Sequence, residues 1–415
     1  MKVVIAMDSF KGSMSSMEAG NAVKAGVERV CTADIVVKPL ADGGEGTVEA
    51  LVEGLGGEYV SMEVTGPLGA KTSAKYGILG DKRTAVLEMA EASGIILVKG
   101  EELDPSRATT YGVGEMILDA VRRGCREFII GIGGSATCEG GAGMLQALGY
   151  EIMDAGGRPV RPGIRDLDRI ASITAGHVPK ELKECHFSIA CDVKNPLCGE
   201  NGAVYVFGPQ KGVKEEEKQY FDEKLRHFAD KTQEFTGRDY RMEEGAGAAG
   251  GLGFTFLSYL TNVELKSGID IVLDAIRLKE EVKDADIVVT GEGCLDFQTA
   301  MGKAPVGVAR LAKKYGAKVF AFAGGVTKDA GECNAAGIDA FFPIVRGVTT
   351  LDEAMVPKNA KENMILAVEQ VFRVINLYTG SFSRFLDLDI EQVSDGMRYT
   401  SMKYEQNFKK EFHVF

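Results

Sequence analysis

The chain has 415 residues, of which 45% are hydrophobic and 26% charged, so it is long enough for two or three domains with full cores. Its 48 basic and 60 acidic residues give a formal net charge of −12, which argues against general binding to the phosphate backbone of nucleic acids. Eight cysteines without a C-x-x-C pair, with only four histidines, argue against a structural zinc site or a secreted disulfide scaffold. No apolar run approaches the roughly 20 residues of a membrane-spanning helix, so we expect a cytoplasmic protein without nucleic-acid or membrane partners.

Short β-rich runs alternate with helical periods from the start of the chain. The pattern first predicts a strand at Lys2–Met7, a helix at Ser15–Val30, a strand at Asp34–Pro39 and a helix at Thr47–Leu55. Ser15 or Ser16 is expected to cap the first helix. Residues 61–97 are expected to form short strands joined by turns.

The alternation continues through the rest of the chain. Further helices are predicted at Thr109–Arg123, Ala142–Leu148, Lys214–Thr236, Gly253–Leu260, Thr299–Tyr315 and Ala360–Leu377. Further strands are predicted at Glu127–Ile132, His186–Cys191, Ala285–Thr290, Lys318–Ala323 and Asp339–Pro343. This order is typical of an α/β protein with mostly parallel sheets, in which ligands bind beyond the carboxyl ends of the strands.

We predict two domains in an α/β protein, with one cleft that collects the loops after the strands. Residues 1–60 and 285–378 are assigned to a doubly wound, Rossmann-like domain, and residues 61–284 to a second, mixed α/β domain. Residues 380–415 lose the Ala, Gly and Val richness of the preceding chain. They are expected to form a C-terminal extension, whose role the sequence does not indicate.

Glycine occurs beside charged or hydroxyl residues in five separate stretches. These are DSFKGS (8–13), ADGGEGT (41–47), GIGGSATCEGGAG (131–143), EEGAGAAGGLG (243–253) and TGEGCLDFQTAMGK (290–303). Glycine allows close approach of a ligand to the backbone, and the N–H groups of such loops can bind anions. Acids in the same loops would repel a bare phosphate, so the combination favours an enzyme that binds a magnesium–nucleotide complex.

The loop at 131–143 is the best placed of the five for a phosphate, because a predicted strand enters it and a predicted helix leaves it. Ser135, Thr137 and the glycine N–H groups are its candidate ligands, although a tight strand–helix crossing explains this loop alone equally well. The chain has no P-loop motif. Residues 245–250 match G-x-G-x-x-G, but the poor strand before them argues against a dinucleotide site.

Several acids lie at or just after predicted strand ends. They are Asp8, Asp42, Glu139, Asp192, Glu292 and Asp296. Each one alone is most simply a helix cap or a turn residue. Together in one cleft they can hold Mg²⁺ and accept a proton from a hydroxyl group, while Lys11 and Lys303 can neutralise the charge of a phosphate.

These motifs, together with TGPLG, TTYGVGE and CDVKNPLCGENGAVYVFGPQKG, resemble the bacterial glycerate kinases of the first type over about residues 1–377. The resemblance implies ATP-dependent phosphorylation of D-glycerate with Mg²⁺, most often at the 2-hydroxyl group. It also implies two α/β domains with the active site between them.

The resemblance is carried to individual positions. The matching residues are Asp8, Ser9, Lys11, Asp42, Gly43, Gly44, Glu45, Thr47, Asp192, Asn195, Pro196, Glu292, Asp296, Gln298, Thr299 and Lys303. The family's Asn-Asp in GGSATNDGG is replaced by Cys138 and Glu139, and its arginine before Leu-Asp by Cys294. These departures put the metal or substrate geometry and one anion contact in question.

The hypothesis assigns catalysis to Asp192, Lys11 and Asp8, with Asp192 first for positioning or deprotonating the hydroxyl group. Asp42 and Asp296 are the expected Mg²⁺ ligands. The expected substrate and phosphate contacts are Ser9, Asp42, Gly43, Gly44, Ser135, Thr137, Asn195, Gly247, Gly250, Glu292, Gln298, Thr299 and Lys303. A kinase for another small hydroxy acid, a non-catalytic nucleotide-binding sensor and a homodimer stay open.

Overall fold

The structure is a computed structural model that describes residues 1–387, with side chains described as far as Leu377. Its strands are β1 (Lys2–Met7), β2 (Asp34–Pro39), β3 (Glu58–Thr65), β4 (Lys71–Ile78), β5 (Thr84–Glu88), β6 (Glu127–Gly131), β7 (Glu151–Asp154), β8 (Ile170–Thr174), β9 (His186–Ala190), β10 (Val263–Lys266), β11 (Ile287–Leu295), β12 (Lys318–Val326) and β13 (Ala340–Pro343). Its helices are α1 (Ser16–Glu28), α2 (Thr47–Leu55), α3 (Ala90–Ser93), α4 (Tyr111–Arg122), α5 (Ala142–Ala147), α6 (Ala203–Phe207), α7 (Lys218–Thr236), α8 (Ala248–Tyr259), α9 (Gly268–Ala275), α10 (Leu278–Val282), α11 (Phe297–Ala300), α12 (Ala304–Lys313), α13 (Glu332–Ala335), α14 (Leu351–Met355) and α15 (Pro357–Asp387).

Five parallel strands form the first sheet, in the order β2-β1-β11-β12-β13. Residues 3–7 of β1 are wholly buried, as expected for a strand that is covered on both faces. Chain order reverses between β1 and β11, so this sheet has the switch point of a doubly wound fold there. Such a point places two adjacent strand ends beside an open crevice.

The second sheet has six strands in the order β10-β9-β6-β5-β4-β3. Strands β5, β6, β9 and β10 are parallel, whereas β3–β4 and β4–β5 are antiparallel pairs. Strands β3 and β5 consequently point the same way, so their carboxyl ends lie at the same edge. Strands β7 and β8 form a separate antiparallel hairpin.

One hydrophobic cluster runs between the two sheets. Val48 and Val272, from α2 and α9, pack in it with Val4 of the first sheet and Ile129 of the second. Another cluster packs α4, α5, α7 and α8 on the far face of the six-stranded sheet, and a third packs α1 and α15 on the five-stranded sheet. Because α2 and α9 belong to the core of both sheets, the predicted domain limits stay a prediction.

Most predicted elements are confirmed to within a few residues. Helix α1 begins after Ser15, whose hydroxyl group accepts the Glu18 N–H in a capping box. The single helix predicted at Thr299–Tyr315 is wrong, because the chain breaks after Ala300 and resumes as α12 beyond Gly302, whose φ is +122°. The hairpin β7–β8, strand β10 and helix α9 were not predicted.

Helix α15 extends the predicted helix Ala360–Leu377 to Asp387. Residues 388–415 of the expected C-terminal extension lie outside the described residues. Within residues 1–387, no helix has both the length and the apolar character needed to cross a membrane.

Candidate active site

The carboxyl ends of β1 and β11 lie side by side at the switch point, and each carries a carboxylate. Asp8 comes directly after β1, and Glu292 lies in the second half of β11. The backbone N–H of Asp8 donates to the carbonyl oxygen of Gly291 at 2.9 Å, which continues the pairing of the two strands. This edge is where doubly wound sheets bind ligands.

The carboxyl group of Asp8 is strongly perturbed. Burial, with the negative charges of Asp42 and Glu292, raises its pKa from 3.8 to about 7, although the Ser9 N–H donates to its Oδ1 at 2.6 Å. A carboxyl group that titrates near neutrality can exchange a proton at physiological pH. Mutual repulsion among acids of this kind is common at sites that move a proton or bind a cation.

The loop that carries Asp42 touches both sheets. Its conformation is fixed locally by the Gly44 N–H, which donates to Asp42 Oδ1 at 2.9 Å. Gly43 has a φ of +86°, and a Cβ atom there would lie 2.4 Å from the Cα of Gly268 and 2.9 Å from the Cβ of Ala190. Only glycine fits this contact, which holds Asp42 against the carboxyl end of β9.

Asp192 is the carboxylate that the second sheet contributes to this place. It follows β9, and the N–H of Gly268 donates to its Oδ1 at 3.1 Å. Partial burial, with the charges of Asp42 and Asp270, raises its pKa. Its side chain stays exposed enough to contact a ligand. Asp8, Asp42, Glu292 and Asp192 thus form a cluster at the junction of the two sheet edges, which we call the acidic cluster.

A second group of predicted residues adjoins Glu292. The hydroxyl group of Thr299 donates to Glu292 Oε1 at 2.6 Å, and the Thr299 N–H donates to Asp296 Oδ1 at 3.0 Å. Burial raises the pKa of Glu292, whereas Thr299 and the positive charge of Lys303 oppose that rise. Asp296 caps α11, and Gln298 is exposed on the same helix. This group shares the edge of the acidic cluster.

A cavity of about 430 Å³ opens beside the loop that follows β1. Ser9 and Lys11 line it from the first sheet, and Lys75 and Glu88 line it from the second. The side chain of Lys11 is 72% exposed, and its Nζ atom lies 3.5 Å from a carboxylate oxygen of Glu45. Such a weak surface pair leaves Lys11 free to turn toward a ligand.

Ser135 and Thr137 lie in the loop that follows β6, above a buried lysine. Lys211 is 2% exposed, and its Nζ atom donates to Ser135 Oγ at 2.6 Å and to the carbonyl oxygen of Thr137 at 2.7 Å. Burial lowers the pKa of Lys211. Because an ammonium group only donates, the hydrogen of the Ser135 hydroxyl group is left for another acceptor. Thr137 is wholly buried, and its phosphate role stays a prediction.

Glu139 does not join the acidic cluster, contrary to the expectation that the acids after the strands share one cleft. It is wholly buried. Its oxygens accept hydrogen bonds from Thr109 Oγ1, Thr110 N, Thr110 Oγ1, Gly143 N and Gly163 N. Burial raises its pKa despite these donors. Glu139 and the buried Cys138 are part of the scaffold, so the departure from the family sequence at 138–139 changes packing rather than a ligand contact.

Close backbone packing beside the second sheet brings together Asn195, Gly247 and Gly250. The N–H of Gly247 donates to the carbonyl oxygen of Asn195 at 2.9 Å. Gly250 has a φ of +70°, and a Cβ atom there would lie 2.0 Å from the carbonyl oxygen of Thr137. This packing alone requires glycine at Gly250, and the predicted ligand contacts of the three residues stay predictions.

Sequence reasoning missed Glu88, Lys211 and Gly268. Glu88 ends β5, and its Oε1 accepts the N–H groups of Gly46 and Val48 at the start of α2, so it links the two sheets. A buried strand that ends in a carboxylate, as in TAVLE, is the one local pattern that pointed to it. Nothing in the short runs around Lys211 and Gly268 indicates their long-range partners.

The acidic cluster lacks the arrangement of a preformed metal site. Among residues 1–387, no group of three or more His, Cys, Asp or Glu side chains is arranged to hold a metal ion. Cys294, at the position where the resemblance implies an arginine, is exposed on β11.

Comparisons with known proteins identify the family of this chain. The sequence model of the glycerate kinase family matches residues 3–376. The chain is 46% identical to a glycerate kinase of Haemophilus influenzae over 376 residues, which cover 90% of this chain and 99% of that protein. It is 45% identical to the glycerate 2-kinase of Escherichia coli over 372 residues, which cover 89% and 97%. The crystal structure of a proposed glycerate kinase 2 from Salmonella typhimurium is 43% identical, with a TM-score of 0.85 over 92% of this chain and 99% of that one. This chain belongs to the glycerate kinase family.

Proposed function

We propose that this protein transfers the γ-phosphoryl group of ATP to D-glycerate, with the 2-hydroxyl group as the favoured acceptor. The observation that carries the proposal is the acidic cluster, which joins carboxylates from the carboxyl ends of two sheets at a switch point. The relative from Escherichia coli is a glycerate 2-kinase, which supports the 2-hydroxyl group.

In the proposed reaction, the oxygen of the 2-hydroxyl group attacks the γ-phosphorus in line. The bond from that phosphorus to the β-phosphate oxygen breaks, and ADP leaves. Asp192 orients the hydroxyl group and takes its proton, which suits an exposed carboxylate whose pKa is raised. Asp8, with a pKa of about 7, is the other group able to take that proton.

The remaining roles concern binding. Lys11 contacts the transferring phosphoryl group or the carboxylate of glycerate, because its side chain is exposed at the rim of the cavity. The proposed substrate and phosphate contacts are Ser9, Asp42, Gly43, Gly44, Ser135, Thr137, Asn195, Gly247, Gly250, Glu292, Gln298, Thr299 and Lys303.

The carboxylates of the acidic cluster and of the adjoining Asp296 are of the type that binds Mg²⁺. Asp42 and Asp296 are the proposed ligands, since Mg²⁺ is usually held by one or two carboxylates together with phosphate oxygens and water. Burial, together with the negative charges of Asp42 and Glu292, raises the pKa of Asp8, so a cation near these groups would relieve an unfavourable charge. When bound, the ion neutralises charge on the phosphate oxygens.

We further propose that residues 1–60 with 285–378 and residues 61–284 act as two domains around this cleft. Strand membership supports the division, since β1, β2 and β11–β13 form one sheet and β3–β6, β9 and β10 the other. The supply of ATP favours the cytoplasm as the place of the reaction, and a homodimer stays a prediction.

The test measures ADP release with D-glycerate, followed by NMR of the product. Asp192→Asn is expected to lower kcat by about 10²–10⁴-fold, the usual contribution of a general base. Asp270→Asn is the matched control, because Asp270 is a nearby exposed carboxylate on α9, and it should retain turnover.

Three outcomes would change the proposal. Near wild-type turnover of Asp192→Asn would remove the assignment of Asp192 as base. Activity with a different hydroxy acid but none with D-glycerate would make the protein a kinase of another substrate. Nucleotide binding without any turnover would leave the sensor alternative.

A further inference from the structure

A second cavity of about 430 Å³ lies on the six-stranded sheet, apart from the acidic cluster. It opens at the end of β3, which is the far edge strand of this sheet, whereas Asp192 follows β9 near the other side. Three stretches of chain line it: the turn after β3, the residues before α4, and residues 161–166. The lining residues that matter here are Thr65, Ser106, Arg107, Tyr111, Arg161 and Arg165.

The arginines of this cavity have no carboxylate partner. Among the described residues, Arg107 and Arg161 make neither a side-chain hydrogen bond nor an ion pair, and both are exposed. The guanidinium group of Arg165 donates only to the hydroxyl oxygen of Ser106, at 2.8 Å. Asp166 is the single carboxylate of the lining, and it pairs with Arg169 at 3.5 Å. Three arginines and one aspartate give the lining a net charge of 3 − 1 = +2.

This positive charge is exceptional for its surroundings. The chain as a whole carries −12. The cavity beside Lys11 has the same volume but is lined by Lys11 and Lys75 against Glu18, Glu45, Glu49, Glu88 and Glu91, a net charge of 2 − 5 = −3. The arginine cavity therefore attracts anions locally in a protein whose net charge is negative.

The surrounding hydroxyl groups complete the chemistry of an anion site. Ser106 accepts from Arg165, and it donates to Asp104 at 2.5 Å, so it fixes the guanidinium group in place. Thr65 and Tyr111 also face the cavity. A planar guanidinium group binds two oxygens of a phosphate at once, and several such groups favour phosphate over a single carboxylate.

We propose that the cavity of Arg107, Arg161 and Arg165 is a binding site for a small phosphate-bearing anion, separate from the site of phosphoryl transfer. Its ligand is a phosphate monoester or free phosphate. Binding there does not depend on ATP, on Mg²⁺ or on the acidic cluster, so the proposal stands apart from the proposed function.

The test is isothermal titration calorimetry of the full chain with inorganic phosphate and with 2-phosphoglycerate, without nucleotide. The double variant Arg107→Ala/Arg161→Ala is compared with Arg158→Ala, whose guanidinium group pairs with Asp154 on the surface. We expect the double variant to lose one binding equivalent, or at least tenfold in affinity. The control should bind as the wild type does, and added sodium chloride should weaken wild-type binding.

Folding of the variants is checked by thermal unfolding, and Arg107→Lys/Arg161→Lys, which keeps the charge, should retain part of the affinity. Unchanged binding by the alanine variant would overturn the proposal, and so would the absence of any binding to the wild type. If the wild-type protein shows no kinase activity, that result would instead count against the proposed function alone. If phosphate binds but 2-phosphoglycerate does not, the ligand is free phosphate.

Discussion

The glycine-rich loops of the two sheets look alike in sequence, but the charged side chains in them have different hydrogen-bond partners. At the ends of β1 and β11, Asp8 and Glu292 have no cationic hydrogen-bond partner among the described residues. Burial raises the pKa of both, and the charge of Glu292 adds to the rise for Asp8. After β6, Glu139 is buried and satisfied by backbone and hydroxyl groups. Lys211, from the turn at Pro209–Lys211, is buried against the same loop and donates to Ser135 and Thr137. Glycine beside a charged residue therefore indicates a crowded backbone in both places, and only the partners of the charge distinguish a binding loop from a packed one.

The difference gives substitutions in the two regions opposite effects on stability. Removing a buried charge that has a full set of hydrogen-bond donors leaves those donors unpaired and destabilises the fold. A buried carboxyl group among like charges costs stability when it ionises. Active sites commonly keep such unfavourable charges because function requires them.

The largest effect is expected for Glu139→Ala. Five donors lose their acceptor at once, and we expect the free energy of unfolding to fall by about 3–5 kcal/mol. Denaturant unfolding measures it. Glu139→Gln, which keeps the oxygen that accepts four of these bonds, should lose less, and an alanine variant as stable as the wild type would contradict the scaffold role.

Asp8→Asn is expected to act in the opposite direction. The pKa of Asp8 is about 7 in the folded protein and near 3.8 when exposed. Below about pH 4 the protonated carboxyl group makes its full contribution to the free energy of unfolding. This contribution is lost as the pH rises through 7, and the loss is at most about 4 kcal/mol. Replacement by asparagine should therefore raise the free energy of unfolding at pH 8 more than at pH 4.

The measurement uses denaturant unfolding at both pH values, with a chelator present to remove metal ions. Asp34→Asn, at the exposed start of β2, controls for the loss of one negative charge. The same gain for Asp8→Asn at both pH values would show that burial does not raise the pKa of this group.

The sequence predicts those parts of the contrast that depend on interactions between residues close together in the chain. Strand β1 and helix α2 were predicted to the residue, because a short apolar run and a helical apolar period after a glycine loop are local signals. The carboxylates after β1, β9 and β11 were predicted as a group, because parallel strands bring their carboxyl ends to one edge. The two-sheet architecture followed from the same alternation.

The sequence could not separate Glu139 from that group. Four of its five hydrogen bonds come from residues 109–110 and 163, some 24 to 30 positions away, and no local pattern specifies such contacts. Lys211 reaches Ser135 across 76 positions, and the break between α11 and α12 depends on how Gly302 is placed in three dimensions. Contacts of this kind are properties of the packed chain.

Lys211→Met tests the packed loop with a smaller change. Methionine fills similar space but leaves Ser135 Oγ and the Thr137 carbonyl oxygen without their donor. The free energy of unfolding is expected to fall by about 1–3 kcal/mol. Lys214→Met is the matched control, since Lys214 is exposed three residues further on. Equal stability of both variants would show that the buried ammonium group contributes no net stability.

Lys11→Ala should have the smallest effect on stability, although Lys11 belongs to the proposed active site. Its side chain is 72% exposed, and its ion pair with Glu45 joins atoms 3.5 Å apart. Surface pairs of this kind contribute little, so the free energy of unfolding should change by less than about 0.5 kcal/mol. A loss of turnover without a loss of stability would place Lys11 among the residues that act on the ligand, as the contrast between the two kinds of loop requires. A marked loss of stability would instead assign Lys11 to the scaffold, and the distinction between the loops would then fail on the first sheet.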